Sequence, residues 1–233
     1  MLKVDSVKLK SIEKRGSKPE RTKAEAVYQE LRRQILNSAV PAGSIVSEQI
    51  LAERLSVGKA PVRVAIRRLA SEGFLTIEPR RGIRITEQSV QDVLDLFQVR
   101  ILMEQLVVRQ IAGKLSQLQI ALLRQNLEEL RVSSLDLDID KVIVSDFGFH
   151  RLLAEFHANK QLVWMLDRTF DSLYGEIRSS MLVRNRATES LGEHEKIYEA
   201  IVSGDGEEAD RCMVSHIQCG QRFVMSRGKN CVF

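Results

Sequence analysis

From Ser89 to about Ser226 the apolar residues keep the 3.6-residue period of an α-helix, and nothing in that stretch alternates as a strand would. Each such helix must bury its apolar stripe against a neighbour, so this part of the chain should fold as an all-helical bundle. The spacing predicts six helices, at about 89–113, 116–132, 139–157, 160–183, 188–203 and 206–226. Small or turn-forming clusters separate them: Gly113 to Ser116, Ser133-Ser134, Ala158-Asn159 and Gly204-Asp205-Gly206. Aromatic residues make up only 5% of the chain, so Leu, Ile and Val have to build the core.

The first 86 residues follow another plan. Residues 1–20 carry six Lys and Arg without apolar periodicity and read as a flexible basic arm. Thr22-Lys23-Ala24-Glu25 is a capping box that opens a helix running to about Asn37, with Val27, Leu31 and Ile35 inward. Pro41-Ala42-Gly43 breaks the pattern. Ser47 can cap a short helix from Glu48 to Leu55, whose Ile50, Leu51 and Leu55 form an apolar face. After the turn Ser56-Val57-Gly58, a third helix runs from about Ala60 to Ser71, with Pro61 in its first turn. Two β-like runs, 74–77 and 83–86, flank Pro79-Arg80-Arg81-Gly82, a hairpin with a basic tip. The expected domains are therefore the arm 1–20, a unit of three helices and a hairpin over 21–86, a helical domain over 87–228 and a tail 229–233.

Composition narrows the class. With 44% hydrophobic and 28% charged residues among 233, the chain can bury a core and is too apolar to be disordered. It lacks a signal-peptide pattern and an apolar run of membrane-spanning length, which predicts neither secretion nor a membrane span. Cys212, Cys219 and Cys231 are odd in number, have no CxxC spacing and read as reduced thiols of a cytoplasmic protein. Residues 1–86 hold 18 Lys+Arg against 9 Asp+Glu, a balance of +9, whereas the remainder holds 17 against 22, or −5. Such a division suggests that the first part meets a polyanion, although a solvated surface would look similar.

The second and third helices with their three-residue turn make a helix-turn-helix pattern, in which the second of the pair enters the major groove of DNA. Lys59, Arg63 and Arg67 recur every four residues and share one face, opposite Val62, Ile66 and Leu69. Arg presents a planar fork that matches the edge of guanine or two phosphate oxygens. In Leu31-Arg32-Arg33-Gln34-Ile35-Leu36, Pro41-Ala42-Gly43, Ser47-Glu48, Leu51-Ala52-Glu53-Arg54-Leu55, Pro61-Val62-Arg63, Ala65-Ile66-Arg67-Arg68-Leu69, Glu72-Gly73 and Gly82, the chain closely resembles the GntR family of bacterial winged-helix transcription regulators. The resemblance implies a winged helix-turn-helix domain that meets double-stranded DNA through Gln49, Lys59, Ala60, Arg63, Arg67, Arg80, Arg81 and Gly82. Where the family usually reads Ser/Thr-Arg-Thr/Ala-Pro, this chain has Gly58-Lys59-Ala60-Pro61, which keeps the charge and removes the fork.

Four histidines are present: His150, His157, His194 and His216. In Asp146-Phe147-Gly148-Phe149-His150 the carboxylate and imidazole lie one helical turn apart on one face and can grip one ion. His194 and His216 fall on two later helices, so three helices could aim one Asp and three His into the bundle interior. Histidines of the core or surface would give the same composition. His157 is displaced by about 10 Å along the helix of His150 and is set aside. Residues from about Ser89 to Phe223 resemble the FCD effector domain attached to many GntR regulators, in which Asp and His in D-x3-H spacing join two later His to bind a divalent metal. Asp146, His150, His194 and His216 fall on those positions, which implies a transition metal, Zn, Ni, Mn, Co or Fe. Arg100 matches the family's arginine facing the effector cavity and could anchor a small carboxylate; an ion pair with Glu104 within the helix is the simpler alternative.

Three functions then compete: a DNA-binding regulator sensing a metal-bound organic acid, a regulator whose metal only staples the bundle, and a metal-dependent hydrolase. The hydrolase would need a positioned general base. Glu193 and Glu195, the neighbours of His194, are expected to point away from it, and no nucleophile motif appears, so the reading is a non-enzymatic regulator. A homodimer on a near-palindromic operator is expected, since one recognition helix reads too few base pairs to be selective.

Overall fold

The structure is a computed structural model and describes residues 22–37 and 39–227; the expected arm, the tail and Cys231 lie outside the described residues. The chain divides into two compact units, one holding residues 43–85 with the preceding helix up to Ile35, the other holding the chain from Thr86 onward together with Leu36–Ala42.

The first unit contains α1 (Lys23–Leu36), β1 (Ile45–Val46), α2 (Glu48–Arg54), α3 (Lys59–Ser71), β2 (Leu75–Glu78) and β3 (Gly82–Ile85). Ser47 caps α2 through its hydroxyl, which accepts from the backbone N–H of Ile50 at 3.2 Å. Leu51 and Ala52 are the residues of α2 that become buried, while Ile50, expected inside, is 49% exposed. Val62, Ala65, Ile66 and Leu69 seat α3 on the core. Each strand of the hairpin lies one residue nearer the tip than expected. The hairpin is also part of a three-stranded sheet in the order β1-β3-β2, with Ile45 opposite Arg84 and Glu78 opposite Gly82. The two-residue strand β1 is too short to show a period in sequence. It dictates the glycine at 82: the residue has φ +121°, and a Cβ there would stand 2.7 Å from the carbonyl oxygen of Val46. Arg80, at the tip, takes the left-handed conformation with φ 64°.

The second unit contains the six expected helices, α4 (Val90–Ile111), α5 (Gln117–Leu135), α6 (Ile139–Phe156), α7 (Lys160–Met181), α8 (Arg186–Ser203) and α9 (Gly206–Arg227). Their starts are written in side chains. Ser89 with Asp92 and Ser116 with Gln119 form reciprocal capping boxes, and Asp138 and Asn159 cap α6 and α7. In the packing, α4 lies on α9, α5 on α6 and α8, α6 on α7, and α8 on α9. Phe97, Leu123, Ile143, Phe149, Leu173 and Ile197 are among the side chains closed off at its centre. Here each CH2 withdrawn from water contributes about 0.8 kcal/mol. Among the described residues no helix is long and apolar enough to cross a membrane.

Candidate functional site

Asp146 and His150 of α6, His194 of α8 and His216 of α9 meet in the middle of the second unit, each at most 3% exposed. One ligand atom from each lies within 4.8 Å of all the others. Nε2 of His150 is 3.1 Å from Nε2 of His216 and 3.2 Å from Nε2 of His194, and His194 Nε2 is 3.6 Å from Asp146 Oδ1. His157 stays apart at the end of α6, where its Nε2 meets Gln110 at 2.8 Å.

The other ring nitrogens decide the protonation. His194 Nδ1 faces the backbone carbonyl of Ser190 at 2.7 Å, His216 Nδ1 faces Glu193 Oε2 at 2.7 Å, and His150 Nδ1 faces Glu104 Oε2. All three partners only accept, so each Nδ1 carries the proton and donates, and each Nε2 keeps a lone pair that can accept, that of His150 from Arg100. Burial holds His150 well below the ordinary imidazole value, and the neighbouring Arg100 charge adds to this. Burial and the nearby His194 likewise lower His216 to about 4. Burial works against ionised Asp146, yet the charges gathered around it lower its pKa. Three lone pairs and a carboxylate oxygen converging in a dry core repel one another unless a cation lies among them. Nitrogens bound to one ion at about 2.0–2.1 Å stand roughly 3.0–3.4 Å apart, which the observed spacings match. The donor set therefore fits a divalent transition metal.

A second layer orients these ligands, as metal sites generally require. Ser190 Oγ donates to Asp146 Oδ1 at 3.0 Å. Arg186, 1% exposed, holds both oxygens of Glu193 at 2.9 Å. Burial acts against the Glu193 anion, and the hydrogen bonds from His216 and Arg186 overcome it, bringing its pKa to about 2. The expectation that Glu193 points away is thus overturned. A step of about 100° around α8 turns Glu193 toward α9, which packs against it, rather than toward water. Glu195 pairs on the outside with Arg131. Arg100 and Glu104 do pair within α4, at 2.6 Å, as the simpler reading of Arg100 has it, and Arg100 Nη2 also reaches His150 Nε2 at 2.8 Å. Ser190 could have been found from its i, i+4 spacing to His194; nothing in the sequence marked Arg186 as buried.

In the first unit, Lys59, Ala60, Arg63 and Arg67 are exposed along one face of α3, Gln49 is exposed on α2, and Arg80 and Arg81 are exposed at the hairpin tip. Arg63 is held by Glu48 at 3.0 Å. Gly58 starts α3 without a side-chain cap, which leaves its first N–H groups open to an anion. Gly82 serves the sheet, for the steric reason given above.

The family model for the FCD domain matches residues 95–218, more than half of the chain, and that for the bacterial regulatory proteins of the gntR family matches residues 23–85. The chain belongs to the GntR family. It is a DNA-binding transcription regulator with an FCD effector domain. This GntR chain is 28% identical over 206 residues to the HTH-type transcriptional regulator YdhC of Bacillus subtilis, covering 87% of this chain and 92% of that one. It is 29% identical over 193 residues to the HTH-type transcriptional repressor RspR of Escherichia coli, covering 82% and 84%. It is also 30% identical over 187 residues to the gluconate operon transcriptional repressor of B. subtilis, covering 77% and 75%. Among solved structures, E. coli McbR/YncC matches its fold with a TM-score of 0.76 at 20% identity, over 89% of this GntR chain and 99% of that one.

Proposed function

We propose that this regulator is a cytoplasmic homodimer that binds a near-palindromic operator, and that a small organic acid bound at a divalent metal in the FCD domain sets its affinity for DNA. The observation that carries this reading is the convergence of three Nε2 lone pairs and Asp146 beside the buried Arg100. Asp146, His150, His194 and His216 would hold the ion, which when bound supplies a Lewis-acidic centre for a carboxylate oxygen. A guanidinium beside it favours the same chemistry. Lys59, Ala60, Arg63 and Arg67 of α3, Gln49 of α2, and the hairpin with Arg80, Arg81 and Gly82 are assigned to DNA. The short segment Thr86–Ser89 joins β3 to α4, the helix that carries Arg100, and offers a covalent route by which a ligand could reorient the DNA-binding unit. Coupling of about 1 to 3 kcal/mol would be a typical magnitude.

The burial of all four ligands favours one alternative, a metal that only staples α6, α8 and α9 together. Metal analysis with carboxylate titration on wild type and on a His194→Ala/His216→Ala double variant separates the two. Full metal occupancy in the double variant refutes the site, and metal retained without any carboxylate effect on operator binding in wild type leaves the staple.

A further inference from the structure

The contact of Arg100 Nη2 with His150 Nε2 uses the one lone pair on that ring that faces the cluster. A guanidinium is always protonated, so Arg100 is the donor and Nε2 the acceptor. A metal ligated by His150 needs the same lone pair. The two occupations exclude each other.

Resting on the metal reading above, we infer that Arg100 closes the metal-free site by holding His150 Nε2, and that metal uptake releases its Nη2 to form the carboxylate subsite. Binding is then ordered, metal first and anion second. Arg100 does not leave the site when Nη2 is released. Its Nε remains on Glu104 Oε1 at 2.6 Å, and its guanidinium carbon lies 5.1 Å from the centre of the Phe170 ring. Glu104 in turn keeps His150 Nδ1, so the ring does not rotate. A buried N–H that loses its acceptor needs another, because it cannot turn to water.

Charge points the same way. Arg100 offsets Glu104, Arg186 offsets Glu193, and the three rings each donate from Nδ1 alone, which leaves the Asp146 carboxylate as the remaining charge of the cluster. A divalent ion reverses that to an excess of one positive charge. One monoanionic carboxylate within reach of Nη2 restores neutrality and supplies the missing acceptor. The ligand class is therefore a monocarboxylate, and the metal-free protein has no subsite for it.

Two quantities test this, both read on the full-length protein: the affinity for Zn2+ against a competing chelator, and the binding of acetate by calorimetry. For Arg100→Met, with its fold checked by circular dichroism, Zn2+ affinity should rise at least tenfold, and acetate binding to the Zn2+-loaded form should weaken at least tenfold. Metal-free wild type should give no acetate binding. Equal or weaker Zn2+ affinity in folded Arg100→Met overturns the competition, and acetate binding to metal-free wild type overturns the order. Wild type that takes up no Zn2+ overturns the metal reading itself, a result distinct from either. Arg100→Gln, which keeps a donor for Glu104, reads the same quantities if the methionine variant does not fold.

Discussion

His216 Nδ1 donates to Glu193 Oε2 at 2.7 Å, so that the residue next to one metal-set histidine orients another on a different helix. The carboxylate is itself clamped by Arg186 through two bonds of 2.9 Å. Replacing Glu193 by Gln keeps an acceptor but removes the charge that makes His216 a strong ligand. Metal affinity should fall on the order of tenfold, at the lower end of what such outer partners contribute. Competition with a chelator measures it, and an unchanged constant would show that the contact has no bearing on the metal.

The same burial makes the metal-free protein sensitive to acid. His216 has a pKa of about 4 when folded against an ordinary 6.5, so unfolding takes up a proton between those values. Its contribution is complete above about 6.5 and is lost as pH falls toward 4, at up to about 1.4 kcal/mol per pH unit. His150 is shifted in the same direction and adds to the slope. Glu193, at about 2 against 4.5, withdraws its share only below 4.5. Urea unfolding of chelator-treated protein at pH 7.5 and 5.5 should show a loss of roughly 1 to 3 kcal/mol at the lower pH. A midpoint independent of pH in that window contradicts the assignment of neutral, buried imidazoles.

Arg63 is shared between DNA and protein, since Glu48 already holds it at 3.0 Å. Arg63→Ala or Arg67→Ala should weaken operator binding by about 1 to 3 kcal/mol where a base contact is lost, or flatten the salt dependence where a phosphate contact is lost. Glu48→Gln should act oppositely and tighten binding several-fold, because it frees the guanidinium and removes a negative charge near the phosphates. Titrations at two salt concentrations test all three variants. Unchanged affinity and slope in both arginine variants would remove α3 as the DNA-reading face.

Gly82→Ala should damage the hairpin from within the sheet, whatever it does to DNA binding. The added methyl meets the Val46 carbonyl oxygen at 2.7 Å in a backbone conformation of φ +121° that side chains rarely adopt. A cost of about 1 to 3 kcal/mol is expected. Thermal unfolding should register it, whereas Gly58→Ala, where a Cβ meets nothing within 4 Å, should cost far less.

The sequence by itself determined what depends on period and local chemistry. Six helices follow from apolar spacing and from caps such as Ser89 and Ser116, and the exposed row Lys59, Arg63 and Arg67 follows from a four-residue step, because these features are properties of one helix and its surface. Asp146 and His150 were legible as a pair for the same reason. Tertiary structure alone decided what depends on two helices facing each other. The strand Ile45–Val46 exists only because β3 lies beside it. Glu193 reaches His216 only because α9 packs on α8, Arg186 is buried only because Glu193 and the Phe223 ring receive it, and Arg100 meets His150 only across α4 and α6. A buried charge is tolerable only with its partner in place, and partners 7, 23 or 50 residues apart in the chain leave no periodic signal.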